Sequence, residues 1–196
     1  MQKGLAKNKQ SRHGFVIDPG SESKKLIRII EQNNWTIEKI LLTHGHFDHL
    51  GAVNGLRERY HIPVYAYTGA DRYLLDTAMN LSQPCRLSIT VKADHYLQDG
   101  ETIALEANPS FTLQTIYTPG HTADSCVYYS RRDHVAFVGD TIFKGGIGSY
   151  GYPGGDKTAL IRSVLNKILS LPKETVFYSG HSEPSTIGTE RRNYGL

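Results

Sequence analysis

Cysteine is scarce in this sequence, and long apolar runs are absent from it. Two of the 196 residues are cysteine, Cys85 and Cys126, which is too few for a disulfide framework, and they are not at metal-ligand spacing. We expect both thiols to be reduced and buried. No apolar run approaches the length that spans a bilayer, and residues 1–13 lack the hydrophobic region of a signal peptide. The sequence therefore predicts no membrane segment and a cytoplasmic location.

An excess of charge of one sign is also lacking. The 22 basic residues nearly balance the 19 acidic residues, for a formal net charge of +3, and a balance of this kind predicts no nucleic-acid partner. A hydrophobic content of 39% at this length predicts a single domain over residues 1–196 with an ample core. Residues 1–13 are polar and basic without periodicity, so we expect them to form a loose arm, with His13 not a ligand.

Apolar periodicity predicts alternating strands and helices in the first half of the chain. Strands are expected at 14–17, 38–43 and 62–67, and helices at 21–35, 49–60 and 68–81. This alternation favours a largely parallel sheet covered by helices. Residues 83–113 contain short runs punctuated by turns, which predict antiparallel hairpins. Further strands at 111–118, 126–129, 134–138 and 174–179, with a helix at 156–171, complete a mixed α and β chain.

Residues 40–50 join an apolar run to three histidines and an aspartate. His44 and His46 lie at i and i+2 on an extended segment, so both imidazoles point to one side. Asp48 and His49 follow where the chain turns into a helix, so that they can reach a second position nearby. Such a polar cluster is costly in an apolar core, so the stretch predicts half of a two-metal site.

Potential ligands also follow three other predicted strands. His121, Asp140 and His181 each come directly after a glycine at the end of an apolar run. In open α/β sheets, ligands bind beyond the carboxyl ends of the strands, so these ends can converge with His44 in one crevice. The remaining histidines after residue 13 stand singly in polar or turn contexts and are not predicted to be ligands; they are His61, His95 and His134.

Residues 144–155 form a glycine-rich segment whose spacing matches neither a phosphate-binding loop nor a dinucleotide fingerprint. We interpret it as an ordered loop beside the site. Tyr150 and Tyr152 lie within it and are candidates for the border of a substrate pocket.

With these residues, the chain resembles the metallo-β-lactamase superfamily. The family motif, His-x-His-x-Asp-His followed by a distant His, Asp and His, stands here as His44, His46, Asp48, His49, His121, Asp140 and His181. The resemblance implies an α/β fold, a four-layer αββα sandwich with the site at one edge. It implies that His44, His46 and His121 hold one metal ion and that Asp48, His49 and His181 hold a second. Asp140 would bridge the two.

Within the superfamily, the segments 118–122, 139–143 and 153–156 resemble the short, single-domain glyoxalase II-like hydrolases of bacteria. Three departures from that pattern concern the start and the loops of the site. Mostly polar residues precede Phe15, so the first sheet is expected either to lack one or two of its usual first strands or to begin in a different way. Ser149-Tyr150-Gly151 replaces a common Arg-Thr-Asp, and Ser182-Glu183 replaces a usual Gly-Pro. These loop changes put the identity of the substrate in question.

Nitrogen and oxygen ligands around two divalent ions suit zinc, with iron or manganese as alternatives. A hydroxide shared by two ions would attack a carbonyl carbon, with Asp48 and Asp140 as the catalytic carboxylates. A thiolate leaves without a proton, and no dedicated acid other than Asp48 is evident, so a small-molecule thioester or an activated ester is favoured over a lactam.

Two other classes of function remain open. A persulfide dioxygenase would use one iron ion held by His44 or His46 together with His121 and Asp140. A non-catalytic binding module is expected to have lost ligands of the family motif, and this chain retains all seven. The sequence therefore predicts a binuclear metallohydrolase, with the dioxygenase as the first alternative and the binding module as the second.

Overall fold

The computed structural model describes residues 5–7 and 12–196 and contains two main β-sheets. The first sheet has the order β1-β2-β3-β4-β5. Strands β2 to β5 are parallel to one another, and β1 is antiparallel to β2. The five strands are Leu5–Lys7 (β1), His13–Ile17 (β2), Thr36–Leu41 (β3), Val64–Tyr67 (β4) and His95–Leu97 (β5).

The second sheet has the order β13-β12-β9-β8-β7-β6 and is antiparallel except for the β9–β12 pair. Its strands are Thr102–Ala104 (β6), Thr112–Tyr117 (β7), Cys126–Ser130 (β8), Val135–Gly139 (β9), Val176–Ser179 (β12) and Ser185–Thr186 (β13). A short antiparallel ribbon, Ile142–Phe143 (β10) with Gly146–Ile147 (β11), lies in the glycine-rich segment.

The described helices are Ser23–Gln32 (α1), Phe47–Leu50 (α2), Val53–Tyr60 (α3), Asp71–Leu74 (α4), Lys157–Ser163 (α5) and Ile187–Asn193 (α6). A π-helical turn, Val164–Ile168, continues α5. The side chain of Asp156 accepts a hydrogen bond from the Ala159 amide and caps α5. Within the described residues, no helix combines the length and apolar character needed to cross a bilayer.

Three apolar clusters show how these elements are layered. Ile30 and Leu56 of helices α1 and α3 pack against the outer face of the first sheet. Phe15 and Leu41 of that sheet pack against Leu113 of the second sheet. The outer face of the second sheet is covered by α5, the π-helical turn and α6. The alternation of side chains along each strand thus gives both sheets two apolar faces, and the result is the predicted four-layer αββα sandwich.

The start of the chain differs from the expected loose arm. Residues 5–7 form β1, which pairs with β2, and His13 is the first residue of β2. The first sheet therefore has a strand ahead of β2, where the sequence predicted only an irregular segment. Residues 5–7 form a strand because they pair with β2, and local composition did not indicate this pairing. Residues 1–4 and 8–11 of the predicted arm lie outside the described residues.

Two other predicted elements are wrong in part. The helix expected at 68–81 is limited to α4 and is followed by turns. Of the hairpins expected in 83–113, β6 does pair with β7, but β5 joins β4 in parallel in the first sheet. Cys126 is buried as expected, whereas Cys85 is exposed because it lies in the turns after α4; both thiols are free.

Candidate metal centre

Strand ends from both sheets meet at one edge of the sandwich. His44 and His46 follow β3, and the next two ionisable residues, Asp48 and His49, lie in the short helix α2. His121 lies between β7 and β8, Asp140 follows β9, and His181 follows β12. All seven sequence-predicted residues therefore lie shortly after the end of a strand or in the short helix α2 that follows β3.

Three imidazoles form the first group of side chains. His44, His46 and His121 each offer a nitrogen, and these atoms lie within 4.8 Å of one another. The Nε2 of His121 is 2.9 Å from the Nδ1 of His46. All three rings are buried. Three imidazole nitrogens at this spacing have the composition of a transition-metal site.

A second group lies beside the first and is open to solvent. Asp48, His49 and His181 also place one potential ligand atom each within 4.8 Å of the others. The Oδ2 of Asp48 lies 2.9 Å from the Nε2 of His181 and 3.6 Å from the Nε2 of His49. The side chains of Asp48 and His181 are 34% and 36% exposed, whereas His49 is fully buried. Access to the centre is therefore from the side of Asp48 and His181.

Asp140 lies between the two groups. Its Oδ2 is 3.7 Å from the Nε2 of His121 in the first group and 3.3 Å from the Nε2 of His181 in the second. Its Oδ1 is 3.4 Å from the Nε2 of His49. One carboxylate thus faces ligand atoms of both groups, which is the position that the sequence resemblance implied.

Several buried polar atoms of this centre have no hydrogen-bond partner among the described residues. They are the Nε2 atoms of His44, His46 and His49 and the Oδ1 of Asp140. Buried polar atoms without a partner are costly, so several of them in one centre indicate that something else satisfies them. These donor types fit a divalent metal ion.

The protonation states of the first group suit metal ligands. Burial lowers the pKa of His44 well below its usual range, and the neighbouring histidines lower it further. Burial likewise lowers the pKa of His46 to about 3. For Asp140, burial alone would raise the pKa, but His181 and His49 lower it well below its usual range. The imidazoles are therefore neutral and the carboxylate is ionised at neutral pH, as metal binding requires.

Sequence reasoning missed Asp18, which is buried behind the centre. Its Oδ2 lies 2.9 Å from the Nδ1 of His49, and its Oδ1 accepts a hydrogen bond from the Thr43 amide at 2.8 Å. The Thr43 hydroxyl donates to Oδ2 at 2.6 Å. Asp18 also lies close to His44 and His49 as a third possible group, but its oxygens are occupied, so it orients His49 instead. The available signal was a carboxylate directly after the apolar strand β2.

The glycines that precede the ligands are explained by close approach. A Cβ on Gly120 would lie 2.1 Å from the Leu160 backbone nitrogen, and Gly120 has a φ of 137°. A Cβ on Gly180 would lie 2.2 Å from the Oδ1 of Asp140 and 2.8 Å from the Cε1 of His49. A side chain at either position would therefore displace backbone or ligand atoms.

The glycine-rich segment borders the centre, as predicted. The Ser149 carbonyl lies 2.6 Å from the Nδ1 of His121 and fixes that ring. The ring of Tyr152 is 5.6 Å from that of His46 and 6.2 Å from that of His121, and the residue is 47% exposed. Tyr150 is 42% exposed, and the Lys157 amine lies 5.5 Å from its ring centre. Tyr152 thus lies beside the first group of imidazoles and is partly exposed, and Tyr150 contacts Lys157 in the same part of the chain.

The four histidines that were not predicted as ligands have other surroundings. The Nδ1 of His13 lies 2.8 Å from Glu38, and the ring of His95 stacks on Tyr65. His61 ends helix α3, and His134 lies 3.7 Å from Glu174. Within the part of the chain that the structure describes, none of them joins a group of potential metal ligands.

Comparison with known proteins agrees with this geometry. Residues 9–181 match the model of the metallo-beta-lactamase superfamily. The chain therefore belongs to this superfamily, whose fold binds divalent metal ions. It is 39% identical to the probable metallo-hydrolase YqgX of Bacillus subtilis, over 90% of this chain and 83% of that protein. It is 32% identical to the hydroxyacylglutathione hydrolase GloC of Haemophilus influenzae, over 93% of this chain and 86% of that protein.

Solved structures show the same fold. The crystal structure of the BLEG-1 B3 metallo-beta-lactamase superposes with a TM-score of 0.90 at 38% identity, covering 96% of this chain and 90% of that chain. The structure of TTHA1623 in a di-iron-bound form superposes with a TM-score of 0.83 at 33% identity, covering 97% of this chain and 91% of that chain. The protein is therefore similar to metallo-hydrolases along nearly its whole length.

Proposed function

We propose that this protein is a binuclear metallohydrolase that cleaves small thioesters, with a glyoxalase II-like activity. The observation that carries the proposal is the pair of ligand groups facing a single shared carboxylate, Asp140. A site with one group would hold one ion, whereas two adjacent groups with a common carboxylate suit two ions.

The roles of the residues follow from their positions. In this proposal His44, His46 and His121 would hold one ion, and Asp48, His49 and His181 would hold a second. Asp140 would be available to both. Two divalent ions held there would supply a water molecule of lowered pKa and would polarise the carbonyl oxygen of the substrate. Zinc suits this mixture of imidazole and carboxylate ligands, and the di-iron form of TTHA1623 makes iron the principal alternative.

Neighbouring residues hold the ligand rings in position, and others lie on the side from which substrate would enter. Asp18 and the Ser149 carbonyl hold the His49 and His121 rings through the nitrogens that face away from the shared carboxylate. Asp48 lies on the solvent side, where its carboxylate can accept and return a proton during the reaction. Tyr152 offers an aromatic surface at the entrance on which the substrate can lie.

The choice of thioester rests on the leaving group and on a relative. A thiol has a pKa of about 8.5, so a thiolate departs without a proton donor. An amide nitrogen requires one, and among the described residues Asp48 is the evident candidate at the open side. The 32% identity to GloC, a hydroxyacylglutathione hydrolase, supports the same class of substrate. The 38% identity to BLEG-1 makes β-lactam hydrolysis the second candidate.

The first experiment measures metal content per chain by elemental analysis, together with turnover of a hydroxyacylglutathione thioester and a chromogenic β-lactam by the same sample. About two ions per chain and preferential cleavage of the thioester are expected. Preferential β-lactam cleavage would support the second candidate. One iron ion per chain with oxygen consumption on glutathione persulfide would replace the proposal by a dioxygenase. Absence of bound metal in protein purified without chelator would contradict all of these metal-dependent functions.

Tyr152 is expected to contribute to substrate binding more than to the chemical step. Replacing it with alanine removes the ring beside His46, which should raise KM about tenfold while leaving kcat nearly unchanged. Tyr150→Ala should have a smaller effect, because the ring of Tyr150 lies under Lys157. Steady-state kinetics on the thioester test both variants. Tyr194→Ala, which removes a tyrosine near the end of α6, is the control; an unchanged KM in Tyr152→Ala would remove Tyr152 from the pocket.

Gly180→Ala is expected to disorder the centre without removing a ligand. The new methyl group would overlap the Oδ1 of Asp140 and contact the His49 ring, so both side chains must move. A displacement of about 1 Å in a catalytic group can cost about a hundredfold in rate, and we expect a loss of that size together with weaker metal retention. Gly146→Ala is the matched control, because nothing lies within 4 Å of a Cβ at that position. Equal activity of the two variants would contradict the placement of Asp140.

A further inference from the structure

A second pocket lies away from the metal centre, on the outer face of the second sheet. Its volume is about 380 Å³, within the range of sites that bind small molecules. Strands β7 and β8 form one side, and the π-helical turn after α5 forms the other. None of the seven residues of the metal centre lines it.

Tyr129 on β8 contributes a buried polar group to this pocket. The residue is 2% exposed, and its hydroxyl has no hydrogen-bond partner among the described residues. Buried tyrosine hydroxyls usually find a partner, because leaving one unsatisfied is costly. Tyr129 is one of the residues that line the pocket, so we take a bound molecule as the candidate partner of its hydroxyl.

The helical side of the pocket has an unusual backbone. The sequence predicts a regular helix over 156–171, but residues 164–168 form a π-helical turn, with the Leu169 amide donating to the Val164 carbonyl at 2.8 Å. Such turns are rare and are frequently found at functional sites. Asn166 and Lys167 of this turn both line the pocket, so the widened turn places an amide and an amine beside Tyr129.

The charges around the pocket favour an anion. The Lys167 amine lies 3.1 Å from Asp99 Oδ2 and donates to the Tyr117 carbonyl at 2.7 Å, so the one acidic residue of the lining is already paired. Arg131 also lines the pocket and has no hydrogen-bond or ion-pair partner among residues 5–7 and 12–196. A guanidinium is a strong donor to carboxylate and phosphate oxygens. The amides of Gln114 and Asn166 complete a polar lining suited to hydroxyl groups.

We propose that this pocket binds a small polyhydroxylated anion, with the oxyanion at Arg131 and hydroxyl groups at Tyr129 and Asn166. The oxyanion can be a carboxylate or a phosphate, since the guanidinium binds both. This site goes beyond the proposed hydrolase and does not depend on it.

The test is a titration of the isotope-labelled, zinc-loaded full chain, followed by amide chemical shifts in NMR spectra. The probes are gluconate, glucose 6-phosphate and neutral glucose, which share a polyol body and differ in charge. Either or both anions should bind with a Kd of about 1 mM or tighter and shift amides of residues 114–116, 129–131 and 164–170, with glucose much weaker. The stronger anion identifies carboxylate or phosphate as the preferred group.

Two variants and a control locate the binding. Arg131→Gln should weaken binding of the anions about tenfold, whereas Arg132→Gln should not, because Arg132 donates to Ser110 outside the pocket. Tyr129→Phe should weaken binding severalfold and leave the thermal stability of the ligand-free protein unchanged or raised, since the hydroxyl has no partner there. Shifts confined to the metal centre, equal binding of glucose, or equal effects of the two arginine variants would overturn the proposal.

Discussion

Asp48→Ala is expected to reduce the metal content from about two ions per chain to about one and to lower kcat/KM on a thioester about a thousandfold. The physical reason is the position of Asp48 in the group that faces solvent. Its Oδ2 lies 2.9 Å from the Nε2 of His181 and 3.6 Å from that of His49. Without this carboxylate, two imidazoles and Asp140 remain for the outer ion, and the group placed to exchange a proton is lost. Elemental analysis and steady-state kinetics on the same preparation measure both effects.

The control for this variant is Asp71→Ala, which removes a carboxylate from α4 that accepts a hydrogen bond from Tyr96 away from the centre. Its metal content and turnover should match those of the parent protein. Asp48→Asn separates size from charge, because it preserves the volume and loses the negative charge; we expect it to behave like the alanine variant. If Asp48→Ala kept both ions and most of its activity, the assignment of the outer group would be wrong.

The second large effect is expected from Asp18, which does not reach the shared centre. Asp18→Asn should lower the affinity for the outer ion by about 10- to 100-fold, since partners that orient a ligand commonly contribute that much. The carboxylate now contacts the His49 Nδ1 and so orients the ring with its Nε2 toward Asp48 and Asp140. Asparagine suits the left-handed backbone of this residue, whose φ is 49°, and can still accept from the Thr43 amide.

The loss of a buried, charge-assisted contact is also expected to lower the free energy of unfolding of the metal-free protein by about 1–3 kcal/mol. Asp94→Asn is the matched control: Asp94 also accepts a hydrogen bond from a strand amide, that of Val64 at 2.9 Å, but is not among the groups of potential ligands. Denaturant unfolding and metal titration separate the two effects. An equal loss of metal affinity in both variants would show that Asp18 acts through general stability and does not orient His49.

Local patterns in the sequence identified the seven candidate ligands because each of them is tied to a strand end. His44 and His46 follow an apolar run, and Asp140 and His181 follow a run and a glycine, so the alternation of the strands and the turn chemistry place them. The alternation of strands and helices in the first half indicated the covered parallel sheet for the same reason. Asp18 also follows an apolar strand directly, but the sequence did not single it out because its partner His49 is 31 residues away.

Features that depend on partners distant in the sequence were not predicted. Strand β1 is short and is flanked by mostly polar residues in the sequence. It forms by pairing with β2. Strand β5 was expected in a hairpin, but its backbone pairs with β4 across the turns that follow α4. The π-helical turn has the same apolar periodicity as an ordinary helix, so the sequence does not distinguish the two; its Val164 and Ile168 pack on the second sheet.

The sequence by itself determined the fold class and the seven candidate ligands, because strand periodicity and motif spacing are local properties. The grouping of the ligands and the shared position of Asp140 were implied by the family resemblance. The tertiary structure decided which side of the centre is open and that Asp18 supports His49. It also decided that a second polar pocket exists. These depend on distances between residues far apart in the chain, which only the packing of two sheets and their helices determines.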